Sequence, residues 1–146
     1  MRILVINGPN LNLLGQRNRT FYGDKTLDDI NRLLEDHAKR LKVEVVTFQS
    51  NSEGALLDFI HKEAPQSHGI IINPAGLTPH SISLRDALQE SGLPVIEVHL
   101  SNIHAREEWR ARSIIAPIAQ GQISGLKWRS YTTALEALVG ILKEKC

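Results

Sequence analysis

Residues 2–23 read RILVINGPNLNLLGQRNRTFYG. The opening Arg2 to Ile6 is short, apolar and β-branched, the composition of a strand buried on both faces. From Asn7 the character changes: NGPNLNLLG, then Arg17, Arg19 and Tyr22, is too rich in Asn and Gly to prolong a strand and reads as a loop leaving its carboxyl end. A tyrosine and two arginines in such a loop call for a chemical explanation. A doubly apolar strand also calls for cover on both sides.

The rest of the chain supplies that cover. Val43 to Phe48, Gly69 to Ile72 and Pro94 to Val98 repeat the β-branched pattern, and Ile114 to Ile123 is a weaker fifth candidate. Between them, Leu27, Ile30, Leu33, Leu34, Ala38 and Leu41 recur at helical spacing, with Thr26 placed as N-cap and Asp28 and Asp29 in the first turn. Leu56, Leu57, Ile60 and Ala64 form a second helical face before Pro65. Ile82, Leu84, Ala87 and Leu88 form a third before Gly92, and a last helix is expected from about Ser130 to Lys143. Strands alternating with helices mean parallel pairing through right-handed crossovers, so the expected fold is a doubly wound α/β domain with helices on both faces. No repeat, low-complexity tract or linker interrupts it, and residues 1–146 are expected to form one domain.

Ligands of such sheets gather beyond the carboxyl ends of the strands. The four loops there are Asn7 to Gly23, QSNSEG, NPAGLTPHS and HLSNIHAREEWR. They would bring Asn10, Arg17, Arg19, Tyr22, Asn73, His80, His99, Ser101, His104, Arg106 and Arg110 to one rim, the expected active site. Simpler explanations exist for several of these residues. Asn7, Gly8 and Pro9 suit a turn, Asn73 before Pro74 is an ordinary turn opener, and Asn51 or Ser52 can cap the next helix. A lone tyrosine would be packing. Beside Arg17 or Arg19, however, a phenol is stabilised in its charged form and can accept a proton. Glu97 and His99 alternate along a strand and therefore share a face, where the carboxylate can orient the imidazole. A solvated edge strand is the other reading of that pair.

Composition removes whole classes of function. Lys+Arg 17 against Asp+Glu 16 leaves a net charge of +1, with no basic block for a phosphate backbone and few aromatics for base stacking. Nucleic acid is thus not an expected partner. The single cysteine, Cys146, permits no intramolecular disulfide framework. No apolar run approaches the roughly 20 residues needed to span a bilayer, and the N-terminus lacks a signal-peptide layout. No membrane is therefore expected, and the expected compartment is the cytoplasm. Six histidines raise the question of metal, but His99 and His104 have no cysteine or HExxH spacing near them, and His37, His61 and His68 fall on helices or their ends. The glycines fit neither dinucleotide nor P-loop spacing, and Ser81 and Ser101 sit in no G-x-S-x-G elbow. No metal or cofactor is expected.

Four blocks carry a more specific signal. NGPNLNLLG with Arg17 and Tyr22-Gly23, FQSNSEG, IINPAGLT with SLRDAL, and IEVHLSNIHARE with Arg110 together resemble the type II 3-dehydroquinases, or 3-dehydroquinate dehydratases. The resemblance runs from Ile3 to about Leu138. It implies a flavodoxin-like five-stranded parallel sheet, a dodecamer built from trimers, and dehydration of 3-dehydroquinate to 3-dehydroshikimate in the shikimate pathway of aromatic amino acid biosynthesis, without a cofactor. It also implies roles: Tyr22 as base, Arg17 as the arginine keeping it ionised, Asn10 holding a water against an enolate, and His99 as acid oriented by Glu97. Asn73, Leu100, Ser101, Arg106 and Arg110 fall on substrate-binding positions, and Asp86 on a residue contributed by a neighbouring subunit.

Two departures stand out. Arg17-Asn18-Arg19 replaces the Arg-Glu-Pro common in that family, adding a cation to the lid and removing an anion and a rigid proline. The binding histidine expected after Thr78 is Pro79 here, and His80 follows. Thr78 as N-cap and Pro79 as first helical residue would suit each other, and His80 is expected to keep the substrate contact. Two other readings stay open: a different hydro-lyase or isomerase on the same fold, or a non-catalytic binder of another cyclic hydroxy acid.

Overall fold

The computed structural model describes residues 1–145; Cys146, and the reading placed on it, lie outside the described residues. Strands β1 (Arg2–Asn7), β2 (Glu44–Gln49), β3 (Gly69–Asn73), β4 (Val95–His99) and β5 (Gly121–Ser124) form one parallel sheet in the order β2-β1-β3-β4-β5. The helices are α1 (Arg19–Tyr22), α2 (Leu27–Leu41), α3 (Glu53–Glu63), α4 (Ile82–Glu90), α5 (Glu108–Ala111) and α6 (Arg129–Glu144). This is the expected flavodoxin-like, doubly wound arrangement.

Alternation along the strands sorts the core into two layers. Ile3, Val5, Ile71, Ile96 and Val98 pack against α2 and α6, while Leu4, Ile6, Ile70, Ile72 and Val95 pack against α3 and α4. Each such side chain fully buried is worth about 1.5–3 kcal/mol of transfer free energy. The layers also fix which way Glu97 and His99 point: both lie on the Val95 side of β4, opposite Ile96 and Val98. Helix α2 starts as its sequence indicates, with Thr26 and Asp29 closing a reciprocal capping box. The backbone and hydroxyl hydrogen bonds of Thr26 hold the Asp29 carboxyl below its ordinary range.

Three expectations are corrected. The fifth strand covers only Gly121–Ser124, because Pro117 lies in a 3-10 turn over Ala116–Ile118 and has no N–H for a ladder. Helix α4 does not begin at Pro79. Thr78 instead closes a 3-10 turn by donating its hydroxyl to the Ala75 carbonyl at 2.7 Å, and Ser81 is the N-cap, accepting from Leu84 N. The helix therefore starts at Ile82. Short α1 and α5 interrupt loops expected to be irregular; four residues are too few to show a helical period.

The strand order reverses between β1 and β3, which leaves a crevice at their carboxyl ends. Asn7 and Asn73 are register partners there. The loop from β1 crosses closely: Gly8 N donates to the Asn73 carbonyl at 2.8 Å, and a Cβ at Gly8 would lie 2.5 Å from the Pro74 oxygen. Only glycine fits that approach. Leu11 and Leu14 then anchor the loop in the α2–α6 layer.

Candidate active site

A cleft of about 250 Å³ opens at this crevice, small for a ligand pocket and matched to a compact polar ligand. Asn10, Arg17, Tyr22, Asn73, His99, Leu100, Ser101, Arg106 and Arg110 line it, together with Thr78, Pro79 and Trp109.

One wall is the Tyr22 phenol, at the end of α1. Asn18 caps this helix, its side-chain oxygen accepting from Thr20 N and Phe21 N. The departure at position 18 thus replaces a charged residue with a helix cap. Arg17, just before the cap, donates to the Tyr22 oxygen at 3.0 Å, and its guanidinium lies 4.1 Å from the ring centre. A second guanidinium arrives from the loop after β4. Arg106 donates to the same oxygen at 2.8 Å and to Ser101 Oγ at 3.3 Å, and is stacked 4.1 Å from the Phe21 ring centre. Charge-assisted donors converging on one oxygen suit an oxygen that carries negative charge. The expected ambiguity between Arg17 and Arg19 resolves structurally: Arg19 begins α1, is exposed and does not line the cleft.

The opposite wall is the end of β4. His99 Nε2 is hydrogen-bonded to Glu97 Oε2, and both residues are buried. Burial works to raise the Glu97 carboxyl. The His99 hydrogen bond and charge, joined by Ser113 and Gln122, outweigh it and hold the group below its ordinary range. Backbone contacts fix the strand end: the His99 carbonyl accepts from Ser130 Oγ at 2.9 Å, and the Leu100 carbonyl from Lys127 N at 3.0 Å.

Asparagines brace the loop and strand ends from which Asn10 and Asn73 line the cleft. Asn10 adopts the left-handed region with φ 70°, and its N–H donates to Asn51 Oδ1 at 2.9 Å. Gln49 braces the same loop by donating to Gly8 O and to Asn51 Oδ1, both at 3.1 Å. Asn73 donates at 2.9 Å to the buried Tyr131 hydroxyl, which in turn donates to Asn7 Oδ1 at 2.6 Å. Burial pushes the Tyr131 phenol far up, so it stays protonated as a structural donor. At the mouth, Arg110 pairs with Glu107 through Nε and stacks 4.3 Å from the exposed Trp109 ring centre.

Three expected rim residues, Arg19, His80 and His104, lie outside the cleft lining, as does Asp86, which was expected to act from a neighbouring subunit. His80 is exposed and does not line the cleft; Pro79 takes the lining position. The later start of α4 is the reason, since His80 N is used to continue the preceding turn to Leu77 O. His80→Ala is accordingly expected to leave kcat and KM within about twofold, measured by steady-state kinetics. Asp86 sits exposed on α4, within 3.8 Å of Arg85 and away from the cleft. His104 is exposed and outside the lining, with Nε2 3.4 Å from Gln122 Oε1. Among the described residues, no group of three His, Cys, Asp or Glu could hold a metal ion.

The "Dehydroquinase class II" family matches residues 1–139. The chain belongs to this family. The "3-dehydroquinate dehydratase" of Halothermothrix orenii is 57% identical over 143 residues, covering 98% of this chain and 97% of that one. The protein of the same description from Roseiflexus castenholzii is 54% identical over 140 residues, covering 96% and 89%. The type II dehydroquinase structure from Propionibacterium acnes has a TM-score of 0.91 at 40% identity, covering 95% of this chain and 96% of that one. That from Butyrivibrio crossotus gives 0.92 at 41%, covering 94% and 97%.

Sequence reasoning overlooked several supports of this dehydroquinase cleft. Tyr131, Ser113 and Gln122 lie in helix, loop and strand positions outside the quoted blocks, whereas Gln49 lies inside FQSNSEG without having been given a role there. Ser113 shows in the sequence only as a serine four residues before Pro117, in the stretch SIIAP.

Proposed function

We infer that the chain is a 3-dehydroquinate dehydratase, a hydro-lyase that removes water from 3-dehydroquinate to give 3-dehydroshikimate. The observation that carries the chemistry is a phenol held by cationic donors and an imidazole held by a buried carboxylate, facing one small cleft. Those are a base and an acid, the two groups an elimination requires.

In the proposed cycle, the Tyr22 oxygen takes a proton from the carbon beside the substrate ketone. The electron pair moves onto the ketone oxygen as an enolate, stabilised by a water that the Asn10 side chain holds. The enolate then collapses to form the carbon–carbon double bond, and the bond to the β-hydroxyl breaks as His99 donates its proton, so the oxygen leaves as water. Tyr22 finally returns its proton to His99 through solvent. Arg17 and Arg106 hold charge on Tyr22. Arg110 suits bidentate capture of the substrate carboxylate, and Asn73 with the backbone at Leu100 and Ser101 positions the ring hydroxyls. Both proton transfers use side chains alone, so the cycle needs no metal or cofactor. A non-catalytic binder would need the arginines but not the base and acid.

The same reading makes residues 1–146 a single catalytic domain, acting in the cytoplasm in the shikimate pathway. It also makes the active unit an oligomer, a dodecamer of trimers, in which Asp86 reaches a neighbouring copy. The support for assembly is local: Asp86 faces outward on α4, and Ile82 on the same helix is 68% exposed. Among the described residues, no helix is long and apolar enough to cross a membrane.

An imine route is the chemical competitor, and it needs a lysine at the substrate. Among the described residues no lysine lines the cleft; Lys25 and Lys127 line a second depression that shares Tyr22 with it. Activity is therefore expected to survive borohydride added with 3-dehydroquinate, and the protein mass to stay unchanged. Inactivation with a mass gain equal to the reduced substrate would overturn the enolate cycle.

A further inference from the structure

We propose that Gln122 is a positioning residue for the reaction, fixing Glu97 against His99; this rests on the acid role given to His99 above. Gln122 lies on edge strand β5 as the register partner of Glu97. Its side-chain nitrogen donates to Glu97 Oε2 at 2.7 Å, the same oxygen that meets His99. The orientation of the amide is dictated by chemistry, since an ionised carboxylate only accepts and the nitrogen must face it.

The remaining contacts complete the cage. Ser113 Oγ accepts from Ile115 N at 3.1 Å and Ala116 N at 3.0 Å, so its hydroxyl proton is committed to Glu97 Oε1 at 2.7 Å. Glu97 is fully buried and has a donor on each oxygen in addition to His99. Ser113 pins one oxygen from the loop, and among the described residues Gln122 is the one donor besides His99 on the working oxygen. Without Gln122 the working oxygen keeps only the imidazole, concentrates its charge there, and makes His99 a poorer proton donor. The titratable and charged groups facing the pair are His104, through Gln122, and Tyr22, Arg17, Arg106 and Arg110 across the cleft.

Two substitutions test the assignment. Gln122→Leu removes the donor at similar volume and is expected to lower kcat about tenfold, a fraction of the loss for removing an acid outright, with KM within about twofold. Gln122→Glu keeps the shape but faces Glu97 with a carboxyl that donates only when protonated. Its kcat relative to the unsubstituted enzyme should therefore climb as pH falls, while the ratio for Gln122→Leu stays flat over the same acidic range. A kcat within twofold for Gln122→Leu, or a ratio for Gln122→Glu that does not climb, overturns the proposal.

Nitrogen-15 NMR of the ligand-free protein reads the same contact without any substrate. In Gln122→Leu the His99 ring is expected to keep its proton to higher pH than in the unsubstituted protein; identical titration overturns the positioning role. If the unsubstituted protein fails to turn over 3-dehydroquinate, the functional reading fails, and the ring titration still decides whether Gln122 controls the Glu97–His99 pair.

Discussion

Tyr22→Phe is expected to lower kcat by about 100-fold or more, the usual scale for losing a proton-transfer group, while the thermal melting temperature changes little. Deleting one oxygen leaves the ring, which packs against the α2–α6 layer, in place. It does remove the acceptor on which Arg17 and Arg106 converge. KM should move far less than kcat, because the lost contact acts on the transferring proton and not on ground-state binding. Steady-state kinetics with 3-dehydroquinate, beside circular dichroism, checks both halves. Near-normal turnover in Tyr22→Phe would move the base elsewhere. Arg17→Ala gives a graded companion: turnover should drop by less than in Tyr22→Phe, because Arg106 still donates to the Tyr22 oxygen.

His99→Ala is expected to cost a similar factor in kcat and, unlike Tyr22→Phe, to cost stability. Glu97 has no exposure to solvent, and His99 is the largest of the influences that offset its burial. Removing one partner of a buried pair typically costs about 3–5 kcal/mol, because the other charge is left uncompensated. The sign with pH follows from protonation. In the unsubstituted protein the Glu97 carboxyl is lowered, so its contribution is fully present above the ordinary carboxylate range and is lost as pH falls through the lowered value. In His99→Ala the stranded carboxylate is penalised at neutral pH and relieved by protonation. The stability gap between the two proteins should thus be largest near neutrality and shrink towards acid pH, which urea denaturation at several pH values would measure. A gap independent of pH would mean that the Glu97 charge is not what His99 compensates.

What could be read in advance depended on distance along the chain. Strands β1 to β4 and helix α2 were legible because their apolar periods and caps are local properties of contiguous residues. Arg17 and Tyr22 share one loop, and Glu97 and His99 share one strand, so each pair was also visible. Arg106 reaches Tyr22 across 84 residues, and Tyr131 reaches Asn7 across 124. Contacts of that kind are created by the parallel crossovers and leave no local pattern. His80 shows the opposite failure. A cap and a proline that fit a helix start locally were overridden when Thr78 bonded backward to Ala75 and Ser81 took the cap, where its hydroxyl also donates to Glu53 on α3 at 2.7 Å. Tertiary pairing with the neighbouring helix decided between two plausible starts.

In the proposed cycle Tyr22 and His99 together dehydrate 3-dehydroquinate. The most direct measurement is ultraviolet absorbance as purified protein meets 3-dehydroquinate in a chelating buffer. An enone band rising at a rate proportional to enzyme, and nearly abolished in Tyr22→Phe, is the result expected. No enone band from the unsubstituted protein, or an equal rate from Tyr22→Phe, would contradict it.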